Sequence, residues 1–280
     1  MAGNQRTRAV GIAAAVTVIL AACSDTTEPE QPAVVSPTET SSGTYHVEVE
    51  IGERTYDLYT PPTHDLQPLA PAVIAFHGLP GSPDTIRRES GLEALADEMG
   101  FLAVFPRGED QRWEPESSGP DIEYVEALIG ELVDAWGADP DRIYVTGFSN
   151  GADMAIVSSL VLSDLVAAAA PVTPSGTGSV REVIEEYAVP VPVIAFIGET
   201  DDRAELGLEM LDAWRSGLSC DNAELDENTD GVTTSNWTCD GDPFRIHVLA
   251  DQGHVWFGSA DDREPLWASE TMWEFFSELG

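Results

Sequence analysis

The stretch RIYVTGFSNGADMA, residues 142–155, decides the fold class of this 280-residue chain. It begins with one of the continuous apolar runs that a parallel sheet buries on both faces, so residues 142–147 predict a strand. Residues 152–162 follow the helical period. The segment Gly-Phe-Ser-Asn-Gly around Ser149 therefore lies in a turn between a buried strand and a helix.

The same alternation of strands and helices extends over most of the chain. Residues 46–51 and 54–59 alternate between apolar and polar side chains, which predicts an antiparallel pair at the edge of a sheet. Six apolar runs predict parallel strands at residues 72–76, 101–105, 142–147, 166–172, 192–198 and 244–250. The clearest helical patterns cover residues 92–99, 122–136, 152–162, 204–218 and 266–279. This order predicts an α/β fold, with a mostly parallel eight-stranded sheet flanked by helices and ligands bound at the carboxyl ends of the strands.

A serine in a strand-to-helix turn of this kind can act as a nucleophile. In a nucleophile elbow the serine adopts a strained backbone conformation, and its hydroxyl projects out of the sheet. Glycines flank the serine because strand and helix approach too closely for a Cβ atom, and the small Ala152 and Ala155 suit the same crossing. The N-terminus of the helix also favours negative charge. Ser149 is therefore the candidate nucleophile.

A serine nucleophile needs a base, and the base needs a carboxylate to orient it. His254 follows the last predicted strand, where a hydrolase with this order of elements carries its base. In the chain order Ser, Asp, His, the acid lies at the end of a strand between the other two. The strand at residues 192–198 is followed by Glu-Thr-Asp-Asp. We predict Asp201 as the acid, with Asp202 and then Glu199 as alternatives.

Two further features are expected near these residues. His77 begins a His-Gly-Leu-Pro-Gly segment directly after the strand at residues 72–76, a position that suits an oxyanion-hole loop. We expect His77, Trp113, Trp256 and Phe257 to line the substrate pocket. The alternative is that the aromatic side chains belong to the core or to the surface.

Five segments carry a family resemblance: VIAFHGLPGSP, GFLAVFPRG, WGADPDRIYVTGFSNGADMA, PVIAFIGETDD and DQGHVWFG. They follow one another in this order between residues 72 and 258. They resemble the secreted esterases called polyhydroxybutyrate depolymerases, which are related to feruloyl and acetylxylan esterases. The Ser-Asn-Gly core at Ser149 and the Gly-His-x-Trp segment that ends at Trp256 are specific to this family among hydrolases.

The resemblance implies an α/β-hydrolase fold and a serine esterase that works through an acyl-enzyme. It implies Ser149 as nucleophile, Asp201 as acid and His254 as base. It also implies the backbone N–H groups of Leu79 and Asn150 as oxyanion donors. The expected substrates are short-chain hydroxyalkanoate, feruloyl or acetyl-xylan esters, and no metal or organic cofactor is expected.

The chain departs from the family pattern at two places. The family ending Gly-His-Thr-Trp-Pro-Gly is altered by Val255 and Phe257, and the His-Gly that precedes the acid is replaced by Ile197-Gly198. Both changes make the rim of the site more apolar. They keep the three catalytic residue types and leave the choice among ester substrates open.

The N-terminus indicates export. A short positively charged region precedes an apolar run at residues 9–22, which is too short to span a bilayer permanently and predicts a signal peptide over residues 1–22. The run ends in Leu-Ala-Ala-Cys, which resembles the lipobox of bacterial lipoproteins and implies lipidation of Cys23; an ordinary signal peptide is the alternative. Residues 23–43 are rich in Thr, Pro, Glu and Ser and predict a disordered tether, which leaves residues 44–280 as the catalytic domain.

Charge and cysteine content restrict the partners and the compartment. A formal net charge of −37 would repel nucleic-acid phosphates and anionic membrane faces, so membrane attachment is expected only through the lipid anchor. With Cys23 used as the anchor, Cys220 and Cys239 remain as an even pair, which predicts a disulfide in an oxidising compartment; two free thiols are the alternative. We expect a protein of the cell envelope or a secreted protein.

Two other functions are compatible with these residues. A peptidase or another amidase can use the same triad. A non-catalytic envelope lipoprotein could instead bind a ligand on a hydrolase fold, although the order of Ser149, Asp201 and His254 argues against it.

Overall fold

The structure, a computed structural model, describes residues 43–48, 54–64, 69–187, 189–221, 224–263 and 265–280. The predicted signal peptide and Cys23 lie outside these residues, and so does the predicted tether up to residue 42. The described residues therefore belong almost entirely to the predicted catalytic domain.

One mixed sheet contains all the strands of the described residues. The strands are β1 (Gly43–Glu48), β2 (Thr55–Thr60), β3 (Ala70–Phe76), β4 (Leu102–Pro106), β5 (Ala138–Phe148), β6 (Ala168–Val172), β7 (Val193–Gly198), β8 (Glu224–Thr229), β9 (Val232–Cys239) and β10 (Asp242–Leu249). The α-helices of the same ranges are α1 (Pro83–Ser90), α2 (Leu92–Met99), α3 (Pro120–Trp136), α4 (Asn150–Val161), α5 (Gly178–Tyr187), α6 (Ala204–Ser216) and α7 (Ala268–Glu278). The strand order in the sheet is β1-β2-β4-β3-β5-β6-β7-β10-β9-β8.

The middle of the sheet is parallel and buried on both faces. Strands β4, β3, β5, β6, β7 and β10 run in one direction, whereas β2 is antiparallel to β4 and β1 is antiparallel to β2. Helices α3 to α6 pack against one face, and α1, α2 and α7 pack against the other. Burial on both faces explains why the central strands are continuous apolar runs. The predicted α/β class and all eight predicted strands are confirmed.

The hairpin of β8 and β9 extends the sheet beyond the predicted strands. β9 is antiparallel to β10, and β8 is antiparallel to β9. Asp230 (φ 53°) and Gly231 (φ 84°) form the turn between β8 and β9, and Asp240 (φ 53°) and Gly241 (φ 107°) form the turn into β10. Two successive residues with positive φ make the type I′ hairpin turn, for which Asp-Gly is a favoured sequence. The two Asp-Gly pairs were the available signal, and the acidic composition around them obscured it.

A disulfide between Cys220 and Cys239 ties this hairpin to the domain. Cys220 lies just before β8, and Cys239 ends β9. The disulfide predicted from the even number of remaining cysteines is therefore present in the structure. It links the start and the end of the segment that contains β8 and β9.

Helices α1 and α5 are not among the clearest helical patterns of the sequence. The side chain of Ser82 accepts a hydrogen bond from the Thr85 N–H, and the Ser82 N–H donates to the Thr85 hydroxyl, while Pro83 occupies the first helical position. Capping chemistry, and not a long apolar period, thus specifies α1. Helix α5 buries only three apolar side chains, those of Val180, Val183 and Ile184.

Gly130 offers a test of local helix energetics. It lies inside α3, and a Cβ atom at this position would have no heavy atom of another element within 4 Å. Because glycine is less favourable than alanine in a helix interior, Gly130→Ala should raise the free energy of unfolding by roughly 0.5–1 kcal/mol. Urea denaturation followed by circular dichroism measures the change.

Gly147→Ala is the matched control, since its Cβ would lie 2.3 Å from the Gly151 carbonyl oxygen and should destabilise the fold. A loss of stability in Gly130→Ala would contradict the description of α3.

Candidate active site

Three loops meet at the carboxyl edge of the parallel sheet. Ser149 directly follows β5, Asp201 lies three residues after β7, and His254 lies five residues after β10. Strands β5, β6, β7 and β10 are consecutive neighbours in the sheet. Parallel strands place their carboxyl ends at one edge, so the three predicted residues lie on the same side of the molecule.

The turn that carries Ser149 is strained and tightly packed. Ser149 has φ 55° and ψ −118°, a conformation that residues with a side chain rarely adopt. Its N–H donates to the carbonyl oxygen of Val172 at 3.0 Å. A Cβ on Gly147 would lie 2.3 Å from the Gly151 carbonyl oxygen, and one on Gly151 would lie 2.2 Å from the Phe76 carbonyl oxygen. The close approach that the flanking glycines predict is therefore present.

His254 and Asp201 form a hydrogen-bonded pair at this edge. His254 Nδ1 lies 2.6 Å from Asp201 Oδ2, and the Asp201 side chain is 3% exposed. The other carboxylate oxygen of Asp201 accepts the Arg203 N–H at 2.9 Å. The His254 ring packs against the ring of Phe148, the residue before Ser149, with a centroid distance of 4.9 Å. With Nδ1–H donated to a carboxylate, Nε2 of the neutral imidazole is left as the proton acceptor.

The alternative acids occupy other positions. Asp202 is exposed, and Glu199 Oε2 accepts the Asp251 N–H at 3.4 Å. Of the three carboxylates that follow β7, the one that contacts His254 is that of Asp201.

Two backbone hydrogen bonds hold the Asp201 loop against the His254 loop. The Glu199 N–H donates to the Leu249 carbonyl at 2.9 Å, and the Thr200 N–H donates to the Gln252 carbonyl at 2.8 Å. A Cβ atom on Gly198 would lie 2.4 Å from the Gly253 carbonyl oxygen. The glycine at this position thus allows the two loops to approach closely enough for the carboxylate to reach the imidazole.

The two predicted oxyanion donors lie after β3 and at the start of α4. Leu79 lies three residues beyond β3, and its side chain is 58% exposed. Asn150 is the first residue of α4. Within the described part of the chain, neither backbone N–H donates to a protein acceptor. Both are therefore available to an oxygen atom of a ligand.

His77 supports this loop from inside the protein and does not line a pocket. Its side chain is fully buried, and Nε2 accepts the Gly108 N–H at 3.0 Å. Nδ1 therefore carries the proton and donates to the Gly78 carbonyl at 2.8 Å. Burial lowers the pKa of His77 below its usual value, which favours this neutral form. The prediction that His77 contributes to the substrate pocket is corrected.

The three aromatic residues predicted to line the pocket belong to the core. Trp113, Trp256 and Phe257 are 2%, 8% and 2% exposed. The Trp256 indole donates to the Ser269 hydroxyl at 3.1 Å, on the face of the sheet that α7 covers. Large aromatic surfaces gain most when they are removed from water, so the alternative of core aromatics holds here.

A buried ion pair that the sequence did not reveal supports the loop after β4. Arg54 Nη2 lies 2.6 Å from Asp121 Oδ1, and both side chains are at most 9% exposed. Asp121 Oδ2 also accepts the Glu114 N–H at 2.6 Å. The two partners are separated by 67 residues, so only the tertiary fold brings them together.

Asp153 is a second buried acid that the sequence did not reveal. It lies in the first turn of α4 and accepts the Ser175 N–H at 2.9 Å, and its other oxygen contacts the Ser175 hydroxyl. Burial raises the pKa of Asp153 to about 6, although hydrogen bonds from Ser175 and Gly176 and the charge of Arg203 act in the opposite direction. Asp153 thereby links the helix after Ser149 to the loop after β6.

The described residues contain no group of three or more His, Cys, Asp or Glu side chains arranged to hold a metal ion. No helix in the described ranges combines the length and the apolar character that crossing a lipid bilayer requires.

The sequence has relatives that are named as esterases. No family model matches the chain. NocK of Nocardia uniformis subsp. tsuyamanensis, named as an esterase, is 30% identical over 226 residues, which cover 70% of this chain and 64% of that protein. The bifunctional acetylxylan esterase/xylanase XynS20E of Neocallimastix patriciarum is 25% identical over 236 residues, which cover 79% of this chain and 33% of that protein. The chain thus spans less than two thirds of the length of these relatives.

The Asp153 carboxyl predicts a pH-dependent stability. Its folded-state pKa of about 6 exceeds the ordinary value of 3.8, so its contribution to stability is full below pH 3.8 and is lost as the pH rises through 6. Asp153→Asn removes this dependence, because the amide does not ionise. The free energy of unfolding of Asp153→Asn minus that of wild type should therefore increase by up to about 3 kcal/mol from pH 4 to pH 7.

Urea denaturation at several pH values measures this difference. Asp164→Asn, which removes an exposed carboxylate, is the control for a change in net charge. A difference between Asp153→Asn and wild type that stays constant from pH 4 to pH 7 would contradict the assignment.

Solved structures resemble this fold over most of the chain. Acetyl xylan esterase from Aspergillus awamori superposes with a TM-score of 0.67 and covers 84% of this chain and 99% of its own, at 17% sequence identity. At this identity the similarity concerns the fold alone. Together with the parallel sheet, its flanking helices and the serine turn after β5, it shows that the chain has the α/β-hydrolase fold.

Proposed function

We propose that the protein is a carboxylic ester hydrolase in which Ser149, His254 and Asp201 form the catalytic triad. The observation that carries the proposal is the 2.6 Å contact between His254 Nδ1 and the buried Asp201 carboxylate, at the sheet edge that also bears the strained Ser149 turn. Relatives named as esterases support ester hydrolysis as the reaction.

Acylation begins with proton transfer to the imidazole. His254 Nε2 takes the proton of the Ser149 hydroxyl as the oxygen attacks the ester carbonyl, and Asp201 stabilises the imidazolium through Nδ1–H. The carbonyl oxygen gains negative charge and accepts the backbone N–H groups of Leu79 and Asn150. The partial positive charge at the N-terminus of α4 favours the same oxyanion.

Acylation ends with release of the alcohol, and deacylation then follows with water as the nucleophile. The tetrahedral intermediate collapses, and His254 donates its proton to the departing alcohol. In deacylation, a water molecule gives a proton to His254 and attacks the carbonyl of the acyl-enzyme, and His254 then donates this proton to the Ser149 oxygen as the carboxylic acid leaves. Side chains of the chain itself carry out each proton transfer, and we propose no cofactor.

The substrate proposed is a neutral ester with an apolar part. Leu79, in the proposed oxyanion loop, is 58% exposed, and Val255, directly after His254, is 45% exposed. A net charge of −37 disfavours esters that carry additional negative charge. Acetyl-xylan, feruloyl and short hydroxyalkanoate esters all meet this description.

Substitution of the serine tests the reaction. Ser149→Ala should lower kcat for p-nitrophenyl acetate and p-nitrophenyl butyrate by at least roughly a thousandfold, because the nucleophile is removed. Ser158→Ala is the matched control. Ser158 lies buried in α4, the helix that follows Ser149, and its hydroxyl has no hydrogen-bond partner among the described residues.

The activity of Ser158→Ala should equal that of wild type. Substantial hydrolysis by Ser149→Ala would refute the nucleophile assignment. A panel of acetyl-xylan, feruloyl, hydroxyalkanoate and peptide amide substrates identifies the preferred bond, and faster cleavage of amides than of esters would contradict the proposed esterase activity.

We further propose that the protein is exported and anchored through Cys23. The disulfide between Cys220 and Cys239 suits an oxidising compartment, and the segment before Cys23 resembles a lipobox. Residues 1–22 would be removed, residues 23–43 would form the tether and residues 44–280 the catalytic domain.

Metabolic labelling tests the anchor. A bacterial host that expresses the wild-type chain should incorporate labelled fatty acid into the protein, whereas Cys23→Ala should not. Equal labelling of both proteins would rule out lipidation at this cysteine.

A further inference from the structure

We propose that a series of side-chain-to-backbone hydrogen bonds, from Asn150 to Trp113, from Trp113 to His77 and from His77 to Gly78, sets the relative position of the two oxyanion donors. The inference rests on the proposed ester hydrolysis and deepens it. It makes Asn150, Trp113 and His77 positioning residues, which act on the substrate through the Asn150 and Leu79 backbone N–H groups.

The first link joins Asn150 to the loop after β4. Asn150 Oδ1 accepts the Trp113 backbone N–H at 2.8 Å, and Asn150 Nδ2 donates to the Trp113 backbone carbonyl at 3.0 Å. A side-chain amide held by two hydrogen bonds cannot rotate without breaking both. The residue that supplies one oxyanion donor from its backbone is therefore clamped through its own side chain.

The second link joins Trp113 to the end of β3. The Trp113 indole N–H donates to the His77 carbonyl at 3.0 Å, and the indole is 2% exposed. Its ring packs edge-on against Phe76, with a centroid distance of 5.1 Å. Water cannot replace this hydrogen bond at so buried a site, so loss of the N–H would leave the carbonyl unpaired.

The third link orients the Leu79 N–H itself. His77 Nδ1–H donates to the Gly78 carbonyl at 2.8 Å. This carbonyl and the Leu79 N–H belong to one planar trans peptide unit, in which the two groups point in opposite directions. A hydrogen bond that fixes the carbonyl therefore fixes the direction of the N–H.

The surrounding backbone leaves little freedom for the imidazole. The Gly108 N–H donates to His77 Nε2 at 3.0 Å, and a Cβ on Gly108 would lie 3.2 Å from His77 Cε1. A Cβ on Gly81 would lie 2.8 Å from His77 Nδ1. The close approach of these two loops holds the ring between its two hydrogen bonds.

This arrangement matters because oxyanion stabilisation depends on donors that are in position before the charge develops. Loss of one donor in a serine hydrolase costs about 10²–10³ in kcat. A donor that is present but displaced should lose part of that effect. The hydrogen bonds that connect Asn150, Trp113 and His77 therefore predict that substitutions remote from the substrate lower kcat without weakening substrate binding.

Removal of single hydrogen bonds tests the proposal. Trp113→Phe keeps an aromatic ring in the core but removes the indole N–H, and Asn150→Ala removes the side-chain clamp while the backbone N–H remains. Each should lower kcat for p-nitrophenyl acetate roughly 10-fold to 100-fold with KM changed less than about twofold. Affinity for a trifluoromethyl ketone, which forms a tetrahedral oxyanion adduct, should fall by a similar factor.

Trp214→Phe is the matched control. Trp214 is fully buried, and its indole N–H donates to the Val189 carbonyl at 3.5 Å, before the start of β7 and at the opposite edge of the sheet. This variant should keep the wild-type kcat, whatever the change in melting temperature. A loss of kcat in Trp113→Phe that does not exceed the loss in Trp214→Phe would overturn the proposal.

The double variant Trp113→Phe/Asn150→Ala tests whether the links act as one unit. Its loss of kcat should be close to that of the more affected single variant, and fully multiplicative losses would overturn the proposal. An active wild-type enzyme with unaffected variants would overturn this inference alone. A wild-type protein that hydrolyses no ester would overturn the proposed function and this inference together.

Discussion

The crossing of α4 over the end of β3 is the constraint on which the site depends. A Cβ on Gly151 would lie 2.2 Å from the Phe76 carbonyl oxygen and 2.5 Å from that of His77. Helix and strand therefore touch through their backbones, and the turn before the helix must hold Ser149 at φ 55°. The same contact joins the start of α4 to the loop that begins after β3. One backbone contact thus holds together the two elements that carry Ser149 and both proposed oxyanion donors.

Only a few of the many acidic side chains among the described residues are buried, and most of these hold loops in place. The protein has 50 acidic residues, yet the buried acidic side chains among the described residues are Asp57, Asp121, Asp153 and Asp201. Three of these hold loops at the carboxyl edge of the sheet, through Glu114, Ser175 and His254. A buried carboxylate is costly unless it accepts hydrogen bonds or pairs with a cation, and the contacts of these three side chains offset that cost.

Prediction from the sequence succeeded where a local pattern carries the information. The apolar runs predicted the parallel strands because burial on both faces leaves a continuous pattern, and the glycines around Ser149 predicted the close crossing. The hairpin of β8 and β9 was missed because its strands are acidic and polar, although two Asp-Gly turns marked it. The aromatic residues predicted to line a pocket are buried in the core. The prediction differs from the structure because position along the chain does not determine the direction in which a side chain points.

The sequence by itself determined the α/β class, the order of strands and helices and the candidate residues Ser149, Asp201 and His254, because periodicity and chain order are local properties. Only the tertiary structure decided that Asp201 and not Asp202 contacts His254, and that Trp113 and His77 are buried beside the loop proposed to supply an oxyanion donor. These contacts join residues of different loops across distances of 2.6–3.0 Å. Such distances depend on which strands are neighbours in the sheet, and no local pattern in the sequence specifies them.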